Sequence, residues 1–186
     1  MSTRGAYGFK ANGKYYVTYN HSDSYAKGLG AEVVKFCDYV NAKDGWNALK
    51  SKVKKVTLVN EDKKPTRAQI RKYAVYGNTA VGNQTLDDWY CLLRNLQYGE
   101  ILYGIESGKV KHMTDSFEFM ADSLFCEYGY IINLDEMTLD FYRGFQEKPC
   151  KNNLPLPMVA DKDTKYYPVT LRAVFQLDGL PHNWLK

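Results

Sequence analysis

Apolar and polar positions define a hairpin in the first twenty residues and a helical rhythm after it. The run Gly5-Ala6-Tyr7-Gly8-Phe9 leads into Asn12-Gly13, and Tyr15-Tyr16-Val17-Thr18-Tyr19 follows. Asn-Gly between two such runs predicts a type I′ hairpin, because both central residues of that turn need positive φ. A polar cluster, Asn20-His21-Ser22-Asp23-Ser24-Tyr25, separates the hairpin from Gly28-Leu29-Gly30, which opens a helix. Leu29, Val33, Phe36, Cys37 and Val40 then recur at helical spacing. Asp44 is expected to cap a second short helix carrying Trp46, Leu49 and Val53, and Val56–Val59 to form a strand or an extended connection. Pro65-Thr66 with Gln69 predicts a capping box for a helix that runs to Gly77. Thr85 with Asp88 predicts another helix, with Leu86, Trp89, Tyr90, Leu93 and Leu96 apolar and Gly99 as its stop.

The period then changes. Glu100–Lys111 fits neither template, and Phe117–Phe125 predicts a short helix. Tyr128–Leu134 and Thr138–Tyr142 predict a second hairpin around Asp135-Glu136. Lys148–Lys165 holds three of the six prolines and reads as a loop, Val169–Leu177 as a last strand, and Leu180-Pro181 as the close of the domain. Strands at both ends with a central block of helices predict a single α+β domain over residues 1–186, its terminal strands meeting in one antiparallel sheet.

Composition changes this picture in three places. Tyrosine is abundant, 16 of 186 residues, which suits half-buried sheet faces and binding surfaces. The four cysteines, Cys37, Cys91, Cys126 and Cys150, have no CxxC spacing and are expected to be thiols, with Cys37 and Cys91 on buried helix faces. With no signal peptide and no apolar run of about 18 residues, the expected setting is a reducing cytoplasm, with no membrane partner. Charge is segregated. Residues 48–73 hold nine Lys/Arg against Glu61 and Asp62, a net of +7, whereas residues 115–163 carry a net of −6 in a chain whose total is +4. Two such segments can serve two partner surfaces, or be solvated helix faces.

Three constellations could carry chemistry. Removal of Met1 would expose Ser2, with Thr3 next, and a free α-amine could act as base for the adjacent hydroxyl of a terminal nucleophile. Ser2-Thr3-Arg4, a glycine-containing strand, the Asn-Gly turn, a second strand and Asn20-His21-Ser22-Asp23 resemble the first hairpin of the N-terminal nucleophile hydrolases, such as the proteasome-type peptidases. That resemblance implies a hydrolase sandwich, but it assigns no catalytic lysine. Second, Asn20, His21, Asp23 and Tyr25 form a candidate loop site. His21 and Asp23 at H-x-D spacing would share one face of a strand, and the other reading is that the loop's polar groups bond one another and cap the first helix. The remaining histidines, His112 and His182, stand in unrelated contexts, so no metal and no cofactor are expected. Third, Lys50, Lys52, Lys54, Lys55, Lys64, Arg67, Arg71 and Lys72 suit the phosphates of DNA or RNA, with no motif for base readout.

The stretches Ser2-Thr3-Arg4-Gly5, Gly8-Phe9, Tyr19-Asn20-His21-x-Asp23-Ser24-Tyr25 and Gly28-Leu29-Gly30 resemble a family of small phage and prophage proteins that open with a Thr-Arg pair, a glycine turn and a His-x-Asp-x-Tyr loop. Beyond residue 30 the resemblance is one of general layout, including Tyr167-Pro168-Val169 and Leu180-Pro181. Some proteins of this kind look like anti-CRISPR inhibitors of type II effector nucleases. The resemblance therefore implies a non-enzymatic counter-defence protein that binds a host RNA-guided nuclease, through an acidic mimic of nucleic acid or a basic grip on guide or target. An amidohydrolase using Ser2 or Thr3 is the alternative.

Overall fold

A computed structural model describes residues 2–157 and 166–181. His182, Asp161 and Asp163 of the acidic segment, Met1 and the end of the proline-rich loop lie outside the described residues. Strands β1 (Gly5–Ala11) and β2 (Lys14–Asn20) form the predicted hairpin, with Asn12 at φ 52° and Gly13 at φ 73°. Side-chain space does not select Gly13, since a Cβ there would meet nothing; the backbone conformation does. At Gly8 the reason is space as well, because a Cβ would lie 2.0 Å from the Tyr16 carbonyl oxygen.

Strands β3 (Thr57–Val59) and β4 (His112–Thr114) form a separate two-stranded parallel pair. β5 (Tyr128–Asn133), β6 (Thr138–Arg143) and β7 (Thr170–Gln176) complete a five-stranded sheet in the order β2-β1-β5-β6-β7. The α+β class holds, and the sheet is antiparallel at every junction but one: β1 and β5, where the two ends of the chain meet, run parallel. The long excursion over residues 21–127 returns the chain to the end where β1 begins, and Glu127 N donates to Arg4 O at 3.1 Å. Among the described residues the two stacked sheets of the hydrolase sandwich do not form. The described residues hold this one large sheet and the small β3–β4 pair.

Both faces of the large sheet are covered, which is why β1 reads as a nearly continuous apolar run. Tyr7, Phe9, Tyr130 and Ile132 face the helices, packing with Val33, Phe36, Val40 and Leu49. Ala6, Val17, Ile131 and Tyr142 face a smaller cluster with Met120, Cys126, Leu154 and Val169. The first helix, α1 (Ala31–Asn41), buries Val33, Phe36, Cys37 and Val40 as its spacing predicts. α2 (Trp46–Val53) follows, but Asp44 does not cap it. Gly45 holds the N-cap position without a side-chain bond, while Asp44 takes φ 49° in the tight turn that closes α1.

α3 (Arg67–Tyr73) has the predicted capping box between Thr66 and Gln69, and a 3₁₀ turn carries it to Gly77. The expected helix from Thr85 to Leu96 is broken. Asp88, not Thr85, caps the four-residue α4 (Trp89–Leu92), and Leu93 leaves helical geometry before a 3₁₀ turn at Arg94–Leu96. The break lets Trp89, Leu92, Leu93 and Leu96 all reach the core. Gly99, at φ 92°, starts α5 (Glu100–Glu106) rather than stopping the preceding helix. A 3₁₀ helix over Phe117–Ala121 replaces the longer one expected there. All four cysteines are free thiols, and Cys37, Cys91 and Cys126 are buried. Among the described residues no helix is long and apolar enough to cross a membrane.

Candidate functional site

The polar loop after β2 is an internally bonded device. Asn20 Nδ2 donates to Ser22 O at 2.6 Å and to Ser24 Oγ at 2.8 Å, while its Oδ1 accepts from Tyr98 N at 2.9 Å. His21 Nδ1 bonds Tyr19 Oη at 2.9 Å, and its backbone N–H donates to Gln97 Oε1 at 3.1 Å. Partial burial, then the Arg94 and Arg4 guanidiniums, hold the His21 pKa below its ordinary value. Asp23 adopts φ 53°, so His21 and Asp23 do not lie on one strand face. Nor do loop side chains cap the first helix; the Tyr25 and Asp23 carbonyls accept Gly28 N at 2.9 Å and Leu29 N at 2.8 Å instead. Tyr25 is exposed. Among the described residues no group of three His, Cys, Asp or Glu side chains could hold a metal ion.

At the N-terminus, exposed Ser2 donates from Oγ to His21 O at 2.5 Å, and the Thr3 carbonyl accepts from Ser24 N at 3.1 Å. Both precede β1, which begins at Gly5. Neither is hydrogen-bonded to a lysine among the described residues.

The basic segment divides in two. Lys50 pairs with Asp135 at 2.8 Å and donates to Leu134 O at 2.9 Å, Lys52 pairs with Glu106 at 3.5 Å, and Lys64 pairs with Asp87 at 2.7 Å. These three are tied to the fold. Lys54, Lys55, Arg67, Arg71 and Lys72 are exposed and make no ion pair among the described residues. Lys72 lies over the Tyr73 ring at 4.9 Å.

The structure also builds a cleft that local patterns do not show. Because β3 and β4 run parallel, the segments that follow them emerge side by side, and Asp115 N donates to Val59 O at 2.9 Å. The pair docks on β2, with Thr18 Oγ1 2.7 Å from Thr114 Oγ1 and Ser116 N donating to Val17 O at 2.9 Å. This brings Glu61 and Asp62 against Asp115 and Glu118, beside Tyr19 from β2, Tyr90 from α4 and Phe119. The cleft measures about 510 Å³, with four carboxylates against one guanidinium, that of Arg4. Tyr19 meets Phe119 at 5.1 Å and 86°, and Tyr90 lies 6.4 Å from Tyr19 with Arg94 over it at 5.4 Å.

Glu61 is exposed as a residue, yet its carboxyl loses solvent where it lies beside Thr114. Loss of solvent and then Asp88 push its pKa up, and burial pushes the Tyr19 and Tyr90 hydroxyls up as well. A second cleft of about 750 Å³ continues from the first, sharing Asn60, Asp62, Asp115 and Glu118 and reaching Trp89. In the sequence Glu61 and Asp62 read only as counter-charges in a basic segment. Nothing local placed Asp115 or Tyr90 beside them, because β4 carries no strand signal of its own. Compared with protein-family models, curated proteins and solved structures, the chain matches none.

Proposed function

We propose that this chain is a non-catalytic binding protein, and specifically a counter-defence inhibitor that occupies a basic surface of an RNA-guided host nuclease. The observation that carries the reading is the cleft, lined by four carboxyl side chains and three aromatic rings around one guanidinium. A nuclease that holds a guide–target duplex does so in a positively charged channel, which is complementary to such a cleft. The resemblance of the first 30 residues to small phage proteins supports the same assignment. A nucleophile–base arrangement at Ser2 or Thr3 would favour the hydrolase, and the bonds those residues make are ordinary loop bonds.

The test is a DNA-cleavage assay with a type II effector–guide complex and increasing amounts of the chain. Inhibition is expected, weakened about tenfold or more in Glu61→Gln/Asp115→Asn and unchanged in Ser2→Ala. No inhibition by the wild type sinks the proposal. A second reading has its own observation, the exposed Lys54, Lys55, Arg67 and Arg71, which make no ion pair among the described residues. If their replacement by glutamine abolishes inhibition while the cleft variant inhibits normally, the chain works by gripping nucleic acid.

A further inference from the structure

We propose that the cleft receives an arginine-bearing peptide segment of the partner, with the guanidinium in the aromatic corner and the peptide backbone along the adjoining cleft; this inference rests on the binding reading above. Three observations converge on that ligand. The first is the corner itself. Tyr19 and Phe119 meet almost at a right angle. The ring faces of such a corner attract a planar cation within about 6 Å. Tyr90 closes the side and already carries Arg94, which leaves the Tyr19–Phe119 pair for a second cation.

The second is uncompensated charge. Glu61, Asp115 and Glu118 line the corner and form no ion pair among the described residues, although lysines elsewhere in the chain find carboxylate partners. Carboxylates clustered without a paired cation attract one, and a forked guanidinium satisfies a carboxylate with two parallel hydrogen bonds. The third is a donor. Trp89 is only 2% exposed, lines the adjoining cleft and stacks on His112 at 5.6 Å. Its indole N–H meets no acceptor among the described residues. A buried indole N–H normally has an acceptor, and a peptide carbonyl running along this cleft supplies one. A metal ion lacks the carbonyl, and its ligand set is absent among the described residues. A nucleic-acid strand would set its phosphates against the carboxylates.

Fluorescence anisotropy with a labelled hexa-arginine peptide tests this, with the neutral hexa-citrulline peptide as comparison. The wild type should bind the arginine peptide and not the citrulline one. Glu61→Gln/Asp115→Asn should weaken binding about tenfold, as should Phe119→Leu, which keeps an apolar side chain but removes the ring face. Glu136→Gln, an exposed acid in the β5–β6 turn, should leave the affinity unchanged. Trp89 emission should shift on binding the wild type. Equal weakening by Glu136→Gln and the cleft variants would mean diffuse charge attraction and overturn the proposal. So would absence of binding at low salt, or displacement of the peptide by a single-stranded oligonucleotide that itself needs the cleft. If the peptide does not bind while the cleft variant still loses nuclease inhibition, the binding reading stands and only the arginine assignment falls.

Discussion

Asp135 ties the two hairpins together. Its carboxylate accepts Asn12 N at 2.7 Å and Gly13 N at 2.8 Å, the two successive N–H groups of the first turn, and pairs with Lys50 from α2. Successive N–H groups form a small anion cradle. Here the anion is a side chain of the same fold. The bond from Gly13, then Lys50, hold the Asp135 pKa down at about 2, against an ordinary 3.8. A depressed carboxylate pKa contributes stability that is complete above about pH 4 and is lost as pH falls from there toward 2. Asp135→Ala should therefore destabilise the chain by about 1 kcal/mol at neutral pH, since the turn N–H groups are exposed enough for water to replace the carboxylate. Urea titrations should show the gap between wild type and variant closing as pH falls through that window. A gap of constant size down to pH 2 would show that the carboxylate charge is not what matters.

At the scale of elements, the capping box of α3 is coupled to β4 through a histidine. Gln69 Oε1 accepts Thr66 N at 2.8 Å and Thr66 Oγ1 at 3.0 Å, which orients its amide nitrogen toward His112 Nε2 at 3.1 Å. His112 must then accept at Nε2 and carry its proton on Nδ1, facing Tyr73 Oη at 2.8 Å, and that hydroxyl also accepts Lys111 N at 3.1 Å. Protonation would set two donors against each other. Burial, with Lys72 as the second cause, lowers the His112 pKa. The folded state thus prefers the neutral ring, and this contribution is complete above about pH 6.5 and lost as pH falls below it. Gln69→Glu should reverse the sign. A carboxylate at that position can keep the capping box and accept from an imidazolium, raising the pKa so that stability is gained as pH falls and lost as it rises through the new value. NMR titration of the His112 ring in both forms checks the direction; a His112 pKa unmoved by the substitution would show that the two side chains are not coupled.

For the whole molecule, the fold changes how the charge asymmetry reads. Three of the eight basic candidates serve the structure, with Lys50 and Lys52 anchoring α2 to the β5–β6 turn and to α5, and Lys64 tied to Asp87. If the others meet phosphates, binding to DNA or RNA should be sequence-tolerant and steeply salt-dependent, because each neutralised phosphate releases condensed counterion. Replacing Lys54, Lys55, Arg67 and Arg71 with glutamine should flatten the plot of log affinity against log salt by roughly one unit per lost contact. Replacing Lys50 and Lys52 should leave that slope unchanged and lower the melting temperature instead. A slope insensitive to the first set identifies those residues as a solvated face.

Features closed within a few residues were legible from the sequence. Asn12-Gly13 made the first hairpin, Thr66 and Gln69 the start of α3, and the two runs around Asp135-Glu136 the second hairpin, because each depends on backbone conformations or bonds spanning a handful of positions. The α+β class followed from the order of those pieces. Two local signals gave way: Asp44 went into the turn that closes α1 instead of capping α2, and the helix expected from Thr85 broke so that Trp89 and Leu96 could both be buried. The parallel meeting of β1 with β5, the pairing of β3 with β4 and the cleft that this pairing creates were decided by tertiary structure alone. The paired strands lie 50 or more residues apart, where no periodicity in the chain records who meets whom. Only the packing of Tyr19, Glu61, Tyr90 and Asp115 around one space gives those four residues a common chemistry.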